Sequence, residues 1–189
     1  MYFPDDMNFQ YFFFSTYIGY FLQALPIALI VSAIYGFIKF RKDNKTPISK
    51  KIFSCVLVCY ITGLICLVIG LDLMQVFWYN LFYPWGSDTT VNWFGGAIDL
   101  IPDFLSNINS ETIGNFLMFL PFGILYPLSK ENVTFKGTII VGIILVAIIE
   151  VLQPVFGRAF DINDIILNSV GIIVSTSIFM GIKKLINKK

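Results

Sequence analysis

The sequence predicts an all-α integral membrane protein of about five transmembrane helices, with an interfacial segment between helices two and three. Three observations predict it. Hydrophobic residues fill 57% of the 189 positions and charged residues only 13%, about half the charged share of an ordinary soluble domain. Mean hydropathy is +0.78, and the apolar residues gather in blocks near the ~20 residues a helix needs to cross a bilayer. Lys and Arg fall almost entirely in short gaps between those blocks. A chain of this length holds one membrane domain, residues 1–189, and has no room for a second globular one.

The first block runs from about Tyr17 to Ile38 and is interrupted by Gln23 and Pro26. A membrane helix tolerates proline where neighbours satisfy the freed backbone. Phe12, Phe13 and Phe14 before it read as an interfacial anchor. Residues 39–51 carry Lys39, Arg41, Lys42, Lys45, Lys50 and Lys51. The second block, Ile52 to about Leu71, continues as an amphipathic tail through Asp72 and Gln75 to Trp78. Residues 79–112 form the one long connection and contain Tyr83, Trp85, Trp93, Gly95, Gly96 and Pro102. Tyr and Trp favour the headgroup level, so this stretch reads as an interfacial segment with some short helix. The third block is about Thr112 to Leu128, the fourth Gly137 to Gln153 and the fifth Asp164 to Ile182. A turn with Lys130, Glu131 and Lys136 separates the third from the fourth, and a polar hinge, Pro154 to Asn163, separates the fourth from the fifth.

Cytoplasmic loops are enriched in Lys and Arg. Placing residues 39–51, 130–136 and the C-terminal tail inside makes twelve of the thirteen basic residues cytoplasmic and leaves ten of the twelve acids on the outer half. The predicted orientation is therefore N-out, C-in. The triplet Asn132-Val133-Thr134 matches a glycosylation sequon but falls on the cytoplasmic side. The start lacks a basic n-region and carries Asp5 and Asp6, so no cleaved signal peptide is expected.

Other classes are disfavoured by composition. The net charge of +1 gives no footprint for nucleic acid, and histidine is absent, which removes the commonest general base and metal ligand. Cys55, Cys59 and Cys66 lie within one apolar block. They read as small buried side chains, not as a disulfide framework or a zinc site.

Arg158 is the single basic residue left outside, and the most polar segments flank it. Glu150 and Gln153 share a face near the outer end of helix four. Asp161, Asp164, Asn168, Gly171 and Ser175 step by three and four along helix five, forming one polar and small stripe. Asn115 opens helix three at the same level. Ionisable groups at such depth normally face a bundle interior or cavity and pair there. Arg158 suits a phosphate or carboxylate. Glu150, Asp161 and Asp164 together suit a divalent cation such as Mg²⁺. Glu150 or Asp164, as a carboxylate beside others, suits general acid or base work. The structural alternative is that Asp161 caps a helix, Arg158 neutralises the acids, and Gly171 and Ser175 permit close packing.

These segments resemble the VanZ-like family, named for a protein associated with resistance to the glycopeptide antibiotic teicoplanin. One element is an Asn entering a helix before an aromatic-Pro-x-Gly turn, here Asn115-Phe116-Leu117-Met118-Phe119-Leu120-Pro121-Phe122-Gly123. The other is Glu150 and Gln153 followed by Arg158, Asp161, Asp164, Asn168 and Gly171. Asp99-Leu100-Ile101-Pro102 looks like the family's N-L-I-P stretch with Asp in place of Asn, and the gap from Gln153 to Arg158 is one residue shorter than the usual spacing. The resemblance covers about residues 50–182 and implies a multi-pass protein of a bacterial plasma membrane.

The leading expectation is an outer-leaflet polar pocket that binds a membrane lipid or another anionic amphiphile, such as a lipid phosphate or the acylated part of a lipoglycopeptide. Arg158, Glu150, Gln153, Asp161, Asp164, Asn168 and Asn115 would form it. The rival expectations are an enzyme acting on a membrane lipid or peptidoglycan precursor, a small transporter or flippase, and a structural partner of other membrane proteins. No nucleophile with its base is visible, and no inverted repeat.

Overall fold

Among the described residues, five helices are long and apolar enough to cross a bilayer, and they match the predicted blocks: Tyr17–Lys42, Ile48–Val68, Thr112–Ser129, Phe135–Phe156 and Ile162–Ile186. The computed structural model describes residues 9–84, 90–103 and 110–186. Asp5, Asp6, Trp85, Asp88, Lys188 and Lys189 lie outside these residues.

A short helix, α1 (Phe9–Ser15), precedes the first span, α2 (Tyr17–Lys42). Thr16 separates them: its hydroxyl accepts from the Gly19 amide at 3.0 Å and caps α2. Phe13 is buried and packs edge-on against Trp78 and Phe82. Within the aromatic run expected as an interfacial anchor, Phe13 therefore turns inward. The Gln23 amide donates to the Phe13 carbonyl, and the Trp78 indole donates to the Gln23 carbonyl at 3.1 Å. The polar interruption of α2 beside Pro26 is thus served by neighbouring helices.

The turn after α2 is organised by Asp43, which accepts from the amides of Lys45 and Thr46 and pairs with Lys39 at 3.7 Å. Hydrogen bonds from Thr46, side chain and backbone, hold the Asp43 carboxyl down at about 2. The second span, α3 (Ile48–Val68), lies against α2 through small residues. Gly63 faces Ala28, and the Ser32 hydroxyl donates to the Cys55 carbonyl at 2.7 Å. The predicted continuous tail to Trp78 is corrected here. The amides of Ile69 and Gly70 both bond to the Ile65 carbonyl, closing α3. A separate helix, α4 (Leu71–Phe82), follows.

The third span is broken into α5 (Ser110–Met118) and α6 (Leu120–Ser129). Pro121 has no amide to donate, so the helix ladder fails there. Phe122 bonds to the Phe119 carbonyl at 3.2 Å, and the Tyr60 hydroxyl takes the freed Met118 carbonyl at 2.7 Å. Thr134 caps α7 (Phe135–Leu152) by accepting from the Gly137 amide, and Asn132 sits at φ 53° in the preceding turn. The apparent sequon is thus a turn and a helix cap. A 3₁₀ turn, Gln153–Phe156, leads through Gly157 to the last span, α8 (Ile162–Ile186). Helix α8 packs against α5, α6 and α7. The apolar core between the spans includes Leu64, Phe119, Phe122, Val146, Ile149 and Ile172.

Candidate functional site

The polar residues collect where α7 turns into α8, and the long connection is fastened over that turn. Strand β1 (Ile98–Asp99) pairs in parallel with β2 (Phe160–Asp161), with Ile98 opposite Phe160 and Asp99 opposite Asp161. Phe160 donates to the Ala97 carbonyl at 2.8 Å, and Phe94 donates to the Val155 carbonyl at 3.0 Å. Two glycines make this approach possible. Gly157 adopts φ 81°, a left-handed conformation that L side chains rarely take, and a Cβ there would meet the Asn92 carbonyl at 2.5 Å. A Cβ on Gly96 would collide with the Arg158 carbonyl and lie 2.6 Å from Pro154 Cα. Further along, Asp103 and Asn163 hold each other reciprocally: the Asp103 amide donates to Asn163 Oδ1 at 3.0 Å, and Asn163 Nδ2 donates to Asp103 Oδ1 at 2.9 Å. Neither Asp103 nor Asn163 was identified from sequence as a site residue. Their separation of 60 positions hides the pairing.

Each predicted site residue has a definite place. Asp161 caps α8, its carboxylate accepting from the Asn163 amide at 2.7 Å. One turn on, Asp164 accepts from the Asn115 side-chain amide, which joins α5 to α8. Glu150 is completely buried. Its Oε1 accepts from Gln153 Nε2 at 3.0 Å, while its Oε2 has no hydrogen-bond partner. Asn168 is buried with Oδ1 unpartnered. The predicted stripe continues inward as Gly171 and Ser175, both buried. Gly171 lies on the Phe116 backbone of α5. At Gly123 of α6 a Cβ would meet Thr176 Oγ1 at 2.7 Å. The stripe therefore works as a packing seam at this depth and as a polar site at its upper end.

Arg158 behaves differently from the acids around it. Its backbone is fixed, its amide donating to the Gln153 carbonyl at 3.0 Å. Its side chain is half-buried, and among the described residues it forms no ion pair. The idea that Arg158 neutralises its neighbours by direct contact is not what the geometry gives: Asp161 is engaged by a helix amide and Asp164 by Asn115. Nor, among the described residues, do three or more carboxylates or thiols converge in a set able to hold a metal ion.

Fold and site together define a multi-pass α-helical membrane protein with a polar cluster at one end of its bundle. The chain belongs to the VanZ/LLP1 family, whose match spans residues 57–185 and so takes in α4 to α8 and most of α3. It is similar to Protein VanZ of Enterococcus faecium, with 26% identity over 124 residues, covering 65% of this chain and 77% of that protein. No solved structure matches the chain.

Proposed function

We propose that this protein works in the bacterial cell envelope by holding the anionic group of an amphiphile at Arg158, in a role linked to glycopeptide resistance. The observation that carries this reading is that Arg158, a half-buried residue, forms no ion pair among the described residues, while Asp161 and Asp164 already have partners. A guanidinium is always charged and offers a planar fork that fits phosphate or carboxylate. Asp164 contributes to the wall, the buried Glu150, Gln153, Asn115 and Asn168 support it from behind, and Asp161 shapes the helix start. With the basic loops inside, the pocket opens at the outer leaflet, within reach of a lipid phosphate or an acylated glycopeptide such as teicoplanin.

The test is direct binding. Protein purified in detergent is titrated with teicoplanin and with its deacylated core. The acylated compound should bind at least tenfold more tightly, since the reading requires an acyl chain to bring the anion into the membrane. Equal affinity for the two compounds, or no saturable binding of teicoplanin, would sink it.

One observation favours a second reading, an enzyme acting on a membrane lipid or peptidoglycan precursor: the buried Glu150 carboxyl has an oxygen with no hydrogen-bond partner. Substitution separates the two readings. Glu150→Gln retains the shape and the contact with Gln153, so a binding pocket should keep at least half of its protective effect. If protection disappears while the variant stays abundant and still binds teicoplanin, Glu150 is acting in proton transfer and the enzyme reading gains.

A further inference from the structure

A groove of about 590 Å³ runs along α2 and α3, away from the hinge, with Met118 on its wall. On α3 it is lined by Ile52, Cys55, Cys59, Gly63 and Leu67, positions that recur every three or four residues along one helix face. At ~1.5 Å of rise per residue, the distance from Ile52 to Leu67 is about 22 Å. That is well over half of a ~30 Å hydrocarbon core, room for a whole acyl chain laid parallel to the helices. Ala24 and Ala28 of α2 also line it. Both are buried in the contact with neighbouring helices.

One end of the groove is charged. Phe40 and Ile52 line that end; the Lys51 ammonium lies 5.4 Å from the Phe40 ring centroid, but Lys51 is buried and donates to the Asp43 carbonyl. Residues 39–51 contain six cations and one carboxylate, Asp43. Asp43 is already occupied by the amides of Lys45 and Thr46 and by Lys39. Arg41, Lys42 and Lys45 are exposed. These cations follow Phe40 in the chain, Arg41 lying 5.2 Å from the Phe37 ring, so charge meets the apolar lining at that end. A lipid with a phosphate and a hydrocarbon chain matches both ends, since juxtamembrane clusters of Lys and Arg attract anionic headgroups.

We propose that the α2–α3 groove holds one acyl chain of an anionic glycerophospholipid, whose phosphate rests on the exposed Arg41, Lys42 and Lys45. This site is separate from Arg158 and does not depend on what Arg158 binds. Native mass spectrometry of the full chain, released from micelles containing phosphatidylglycerol or phosphatidylcholine with identical acyl chains, tests it. The wild type should retain phosphatidylglycerol at least fivefold more than phosphatidylcholine. The triple variant Arg41→Gln, Lys42→Gln, Lys45→Gln should bring that ratio close to one, and Cys59→Trp, which fills the groove, should lower phosphatidylglycerol retention at least fivefold. These variants are compared on an Arg158→Ala background, so that a lipid phosphate held at Arg158 does not enter the ratio. Equal retention of the two lipids by the wild type means an ordinary lipid annulus and overturns the proposal. So does a preference that survives the triple variant on that background. The wild-type comparison and the exposed glutamine substitutions decide the matter even if Cys59→Trp fails to fold.

Discussion

Arg158→Ala is expected to leave cells as sensitive to teicoplanin as cells lacking the protein, with the variant present in the membrane at wild-type abundance. The separation of function from folding follows from which atoms of Arg158 the fold uses. The backbone carries the structural part: the amide donates to the Gln153 carbonyl, and the carbonyl lies against Gly96. Alanine retains both. The guanidinium forms no ion pair among the described residues, so its removal should change stability by no more than about 1 kcal/mol, the centre of the range for single substitutions. A charge-assisted hydrogen bond to a bound anion, by contrast, contributes about 1.5–3 kcal/mol, roughly a ten- to hundredfold change in affinity. Arg158→Lys should be intermediate, because it preserves the charge and loses the bidentate fork. Drug susceptibility measured alongside immunoblots of membrane fractions checks all three proteins. Full protection by Arg158→Ala at equal abundance would falsify the anion-binding reading.

The same separation explains which parts of the molecule could be read from sequence. Lipid imposes an apolar run of near-fixed length on every span, so the five blocks stood out and their limits shifted by only a few residues. The stripe from Asp164 to Ser175 was legible for a related reason: polar and small residues spaced by three and four in an apolar helix have few uses other than an internal face. Gly70 was the available sign that the second block would bend, and an apolar pattern on both sides masked it. The docking of the long connection was hidden more deeply. Its main contacts run from backbone to backbone, as between Phe94 and Val155 or Phe160 and Ala97, and such bonds leave no trace in residue type. Among the described residues, Gly96, Gly157, the Asp103–Asn163 pair and the Trp93–Phe156 ring contact record the docking in side chains, or in their absence. Even so, a glycine near a hinge does not by itself name the strand that lies on it.

Gly171→Val is expected to remove folded protein from the membrane, and Gly171→Ala to destabilise it by about 3 kcal/mol, the upper part of the usual range for overpacking. The reason lies in what a Cβ would meet. At Gly171 the nearest atom is the Phe116 backbone carbonyl of α5, inside contact distance. A side chain could rotate away, but a carbonyl in a helix moves only if the helix moves. Helix α5 would then separate from α8 at the residue next to Asn115 and two turns of α8 beyond Asp164, so the polar cluster would lose its wall along with its packing. Gly181 on the same helix supplies the control, because a Cβ there has nothing within 4 Å. Alanine is also the better helix former, by about 1 kcal/mol, so Gly181→Ala should be neutral or mildly stabilising. Thermal unfolding of the two alanine variants in one detergent gives the comparison, and membrane abundance reports on Gly171→Val. Equal unfolding temperatures for Gly171→Ala and Gly181→Ala would show that the α5–α8 seam does not hold the site together, and that the grouping of Asn115 with Asp164 needs another cause.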